Sequence, residues 1–83
     1  MERKVMVAFN TVDEVAAFVK DMSRFPEEVH IDLVSGRHVV NARSLINIFT
    51  LDLSKPIEVN IKSDSPNLFL INKVVEKCME YGE

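Results

Sequence analysis

The sequence predicts an open-faced sandwich of the α+β class, an antiparallel sheet with one polar face and with helices packed on the other. Three observations carry this. Short runs of alternating apolar and polar residues recur between stretches of helical periodicity, in the order β-α-β-β-α-β-α. The second and fourth strand patterns each have an apolar side and a charged side, so every helix can cover the same face. The 83 residues are 47% hydrophobic and 28% charged, with two Gly and three Pro, which suits one domain over 1–83 with no linker or repeat.

The elements follow in order. Val5, Val7 and Phe9 alternate with Met6 and Ala8, predicting a mostly buried strand over 4–9. Thr11 followed by Glu14 has the form of a capping box. Val12, Val15, Ala16, Val19 and Met22 continue at helical spacing, with Phe18 and Phe25 widening the stripe, so a helix is expected over 12–24, stopped by Pro26. Val29, Ile31 and Leu33 alternate with His30 and Asp32 as a half-buried strand. Ser35-Gly36 turns the chain into a second strand over 37–42, completing a hairpin.

Leu45-Ile46-Asn47-Ile48-Phe49 is too short for a full amphipathic helix and is expected to make one to two turns, after which Leu51 and Leu53 pack the loop. Pro56 precedes the last strand, in which Ile57, Val59 and Ile61 face one way and Glu58, Asn60 and Lys62 the other. Ser65-Pro66 reads as an N-cap followed by Pro at the first helical position. Ile71, Val74, Val75, Cys78 and Met79 then form the buried stripe of the final helix, with Gly82 just past it.

Charge and cysteine content exclude several function classes. Net charge is −3, and no Lys/Arg run is longer than Arg3-Lys4, so a nucleic-acid footprint is missing. The single cysteine, Cys78, fits a reducing cytosol and a core position without a basic neighbour to activate it. No apolar stretch is long enough for a leader or a membrane span, and the chain is expected to be cytoplasmic. His30 and His38 read as solvated sheet residues. As a pair across the hairpin they would make only a weak metal site, so no metal or cofactor is expected.

Asn41-Ala42-Arg43-Ser44-Leu45-Ile46 through Thr50-Leu51-Asp52-Leu53, together with Ala16-Ala17-Phe18-Val19, resembles the HPr family, the small phosphocarriers of the bacterial sugar phosphotransferase system. The family pattern has a small residue, a basic residue, Ser and two apolar residues, then a Leu-Gly-Leu turn. Element order and length agree over essentially the whole chain. The resemblance implies a four-stranded antiparallel sheet backed by two longer helices and one short one. It also implies a phosphorylated histidine at the mouth of the first helix, with an arginine two residues on. Backbone N–H groups, the helix dipole and a cation hold the phosphate there.

On the matching positions this chain has Thr11 and Asp13. Thr11 has no activating base, and Asp13 and Glu14 put negative charge where a phosphate needs positive charge. No catalytic residue and no enzymatic activity are therefore expected. Asp52 replaces the family Gly in its turn and can adopt a left-handed conformation at modest cost, which would let the turn survive.

The resemblance also marks Ser44 as the position of a regulatory phosphorylation, with Arg43 beside it able to pair with the phosphate; the plain alternative is a Ser N-cap. Leu45, Ile46, Ile48 and Phe49 cannot all be buried by one short helix. Thr11, Arg43, Ile46 and Phe49 are thus expected either to dock a partner or simply to pack. Leu68-Phe69-Leu70-Ile71 wraps around a helix, so at least Phe69 should face outward. Leu68, Phe69 and Leu70 mark either a homodimer surface or a deeper local core.

The leading expectation is a regulatory, protein-binding module related to the phosphotransferase system, whose partner is a component or regulator of that system. The alternatives are a genuine phosphocarrier acting through an unrecognised residue, or a small-molecule-binding α/β sandwich.

Overall fold

The computed structural model describes residues 2–64 and 66–82. Its elements are β1 (Glu2–Val7), α1 (Val12–Met22), β2 (Val29–Ser35), β3 (His38–Asn41), α2 (Leu45–Ile48), β4 (Ile57–Ser63) and α3 (Leu68–Met79). The four strands form one antiparallel sheet in the order β1-β4-β2-β3, and the open-faced sandwich is as expected.

Alternation decides what each face of the sheet carries. Ile57, Val59 and Ile61 of β4 and Val29, Ile31 and Leu33 of β2 point inward and are fully buried. They meet Val15, Phe18 and Met22 of α1 and Ile71, Val74 and Cys78 of α3 in one continuous core. The outer face is built in cross-strand rows. Lys4, Asn60, Asp32 and Asn41 make one row, and Met6, Glu58, Val34 and Val39 the next.

The rings of Phe9 and Tyr81 each approach Phe18 edge-on or near it, at centroid distances of 5.2 Å. The Tyr81 hydroxyl donates to Asp21 Oδ2 at 2.5 Å, and Ala8 N–H donates to the Tyr81 carbonyl. The segment after α3 is thereby fastened to α1 and to the residue that follows β1.

Several element boundaries and burial assignments differ from the sequence reading. β1 runs from Glu2 to Val7, and within it Val7 alone is fully buried, because β1 is an edge strand bonded only to β4. Phe9 is buried beyond the strand. α1 ends at Met22 rather than 24, where Ser23 Oγ and N–H both turn back to the Val19 carbonyl. Its buried stripe narrows to Val15, Phe18 and Met22, leaving Ala16 and Val12 exposed. β3 is shorter than 37–42, and α2 is a single turn.

The N-cap of α3 is Asn67, whose Oδ1 accepts from Leu70 N–H at 3.0 Å; the predicted cap Ser65 lies outside the described residues. Met79 is exposed rather than part of the core stripe, since Ile71, Val74 and Cys78 already fill the strip that faces the sheet. Asp52 does not turn left-handed. Among the described residues only Gly36 has positive φ, and the Asp52 carboxylate holds its turn by accepting from Ser54 N–H and Oγ.

Burial sets an alkaline limit on stability. Desolvation pushes the Cys78 thiol from 9.0 up to about 12. Tyr81 is raised above its ordinary 10.0, first by burial and then by its bond to Asp21. Both groups fold as neutral acids, so their contribution is complete below the unfolded values and is lost as pH rises through them toward the folded ones. Urea unfolding followed against pH should show stability falling from about pH 9 upward, and Cys78→Ala should remove the earliest part of that fall. An unchanged onset in Cys78→Ala would count against a buried thiol.

Candidate functional site

The mouth of α1 opens into a pocket of about 280 Å³ lined by Phe9, Asn10, Thr11, Val12, Val15, Phe49, Leu53 and Ser54. Three chain segments make it: the β1–α1 connection, the end of α2 and the loop after it. Thr11 is extended, and its Oγ1 accepts from Glu14 N–H at 3.1 Å, as the capping box requires. The reciprocal bond is displaced by one residue. Glu14 Oε1 accepts from Asn10 N–H at 2.7 Å instead of from the N-cap.

The Thr11 hydroxyl thus takes one first-turn N–H, and the Glu14 carboxylate brings negative charge to the segment just before the helix. Asp13 is exposed beside them and adds a second negative charge to the first turn. Across the pocket, Asp52 is held below the usual carboxylate range by the hydroxyl and then the N–H of Ser54, so its charge is retained at neutral pH.

α2 places its apolar side chains unequally. Ile48 is fully buried, whereas Ile46 is 81% exposed and Phe49 43% exposed. Ile46 and Phe49 are three residues apart on one helical side, and Phe49 reaches the pocket wall beside Val12, itself 66% exposed. The expected surplus of apolar surface on the short helix is present and continuous with the helix mouth.

Ser44 stands at the N-cap position of α2, but its side chain makes no capping bond. Arg43 turns away from it. Its Nε donates to the Met22 carbonyl, Nη1 to Val29, and Nη2 to both Phe25 and Pro26, each at 3.1 Å. The guanidinium is committed to the C-terminal end of α1 and to the connection into β2. A phosphate on Ser44 could recruit it only at the expense of those four bonds.

Of the apolar run at the start of α3, Leu68 and Phe69 are exposed, Phe69 at 71%, whereas Leu70 packs partly against the core and Ile71 is buried. Lys73 Nζ lies 5.3 Å from the Phe69 ring centre. His30 and His38 occupy opposite ends of β2–β3, paired in register with Lys62 and Ser35 respectively, and do not meet. His30 Nε2 instead lies 2.9 Å from Asp64 Oδ1, a contact across 34 residues that no local pattern announced. Among the described residues no group of three or more His, Cys, Asp or Glu is placed to hold a metal ion, and no helix is long and apolar enough to cross a membrane.

The pocket itself was only half visible in the sequence. Thr11 and Phe49 carried a signal through capping and apolar surplus, but Phe9, Leu53 and Ser54 come from loops whose convergence has no periodic signature.

Comparison with solved structures gives the fold a class, that of the HPr phosphocarrier proteins. The HPr-C-His protein of Thermoanaerobacter tengcongensis superposes with a TM-score of 0.67 at 22% identity, over 96% of this chain and 91% of that one. The histidine-containing phosphocarrier protein of a mycoplasma superposes with a TM-score of 0.65 at 13% identity, over 95% and 91%. No family model matches the sequence, and no curated protein is significantly similar to it. The chain has the HPr fold, with threonine and aspartate at the head of its first helix.

Proposed function

We propose that this protein is a non-catalytic, regulatory member of the phosphotransferase-type machinery that docks a protein partner through the mouth of α1 and the exposed side of α2. The observation that carries the reading is the helix mouth. Thr11 caps one first-turn N–H, Asp13 and Glu14 put negative charge where an incoming phosphate needs positive charge, and no imidazole stands there. Val12, Ile46 and Phe49 around it remain exposed, which suits contact with another protein rather than transfer chemistry. Incubation with enzyme I of the phosphotransferase system and labelled phosphoenolpyruvate should leave the chain unlabelled. Stable, acid-labile label on it would overturn the reading.

One observation favours the second reading, a phosphocarrier working through an unrecognised residue. His30 is held at Nε2 by Asp64, which leaves its other ring nitrogen to act. It lies on the outer sheet face, remote from the helix mouth. Labelling abolished by His30→Gln would select this alternative.

Ser44 is the regulatory modification site in the first reading, because its hydroxyl is uncommitted to capping and stands at the entry to the exposed helix. A regulatory kinase of the HPr type with ATP should incorporate phosphate, and Ser44→Ala should abolish incorporation. Unchanged labelling of that variant would remove Ser44 from the proposal.

A further inference from the structure

The face around the pocket is apolar at its centre and acidic at its rim, and its cations are few. Asp13 is exposed on the first turn of α1, the Glu14 carboxylate sits over the Asn10 N–H, and Asp52 stands one residue before the pocket-lining Leu53. Lys55 is the cation that neighbours Asp52. Arg43, which adjoins α2 in sequence, is bonded to carbonyls at the far end of α1, about 16 Å away along an eleven-residue helix. The rim therefore presents negative charge to whatever covers Val12, Ile46 and Phe49.

We infer that the occupant of this face is a cationic segment of a partner protein, with one apolar side chain seated in the pocket between Val12 and Phe49 and a Lys or Arg beside Asp13. The inference rests on the docking reading above and gives the partner its chemistry. An acidic segment would place like charges against Asp13 and Asp52, and desolvating those carboxylates without a counter-charge would oppose binding. A pocket of about 280 Å³ accommodates a side chain of Leu, Met or Phe size and gives the contact a buried centre, with the charged rim setting orientation.

The test is selection of phage-displayed random dodecapeptides on the immobilised full chain, followed by fluorescence-anisotropy titration of the enriched peptides. Enriched peptides should combine Leu, Met or Phe with Lys or Arg. Their affinity should fall about threefold on Asp13→Asn and about tenfold on Asp13→Lys, and should weaken as salt rises from about 0.05 to about 0.5 M. Ile46→Asp should weaken them by more than about tenfold. Both positions are exposed, and thermal melts of the variants verify that the fold is kept.

Enriched peptides that are neutral or acidic, indifferent to Asp13→Lys yet still lost on Ile46→Asp, would overturn the cationic partner and leave docking at this face standing. Failure to obtain any peptide that depends on Ile46 would overturn both. A dimer in sedimentation at about millimolar protein, lost on Ile46→Asp, would assign the face to a second copy and overturn the inference.

Discussion

Replacing Phe18 with alanine should lower the free energy of unfolding by about 3–5 kcal/mol, read from chemical denaturation. The ring is fully buried in the core, and it is the common partner of Phe9 and Tyr81, both at 5.2 Å. Removing it leaves Phe9 and Tyr81, whose ring centres are 6.0 Å apart, bordering an emptied site, so a cavity term adds to the lost transfer energy. A domain of this size holds about 5–15 kcal/mol in total, so this one change takes a large share. Phe69→Ala is the contrasting control. Its ring is mostly in water with Lys73 above it, and the expected cost is below about 1 kcal/mol. Equal losses at the two positions would contradict the assignment of Phe18 to the core centre.

Arg43→Ala should cost about 2–3 kcal/mol in the same measurement. Four guanidinium N–H groups close the carbonyls of Met22, Phe25, Pro26 and Val29, where α1 ends and the chain crosses to β2. Charge-assisted bonds to carbonyls exceed neutral ones, and a cation at a helix C-terminus adds a favourable dipole term. The site is only part-buried, so water recovers some of the loss, which keeps the figure below the sum of four bonds. Arg43→Lys should recover less than half, because one ammonium cannot span four carbonyls that a planar fork reaches. Full recovery by lysine would mean that charge alone, and not the fork geometry, matters.

The placement of Arg43 bears on function as well. The residue that sequence neighbourhood assigned to a phosphate on Ser44 turns out to brace the opposite end of α1. Adjacency in sequence placed Arg43 and Ser44 together, yet the backbone turn at Asn41–Ser44 aims their side chains differently. Asn41 Oδ1 accepts from Arg43 N–H and the Asn41 carbonyl from Ser44 N–H.

Much of the architecture was legible in advance, for reasons that are local. The alternation in Val29–Leu33 and Ile57–Ile61 has period two, and each register shift by one residue would expose three aliphatic side chains, so the inward faces were determined. Thr11 with Glu14 announced the start of α1 because capping is a contact between residues three apart. Failures came where burial depends on neighbours in space. Val12 and Met79 obey helical spacing but lie past the ends of the strip that the sheet covers, and β1 loses burial because it has β4 on one side only. α3 begins at Leu68 with Asn67 as its cap, whose amide oxygen accepts from Leu70 N–H.

What the sequence determined by itself is the order of elements, the inward faces of β2 and β4, and the capped start of α1 at Thr11. These follow from side-chain periodicity and residue identity. The tertiary structure alone decided that Phe9, Val12, Phe49 and Leu53 converge into one pocket, that His30 finds Asp64, and that Arg43 is spent on α1 rather than on Ser44. Those contacts join loops and elements far apart in the chain. Their geometry is set by how helices pack on the sheet, and no repeat along the sequence encodes it.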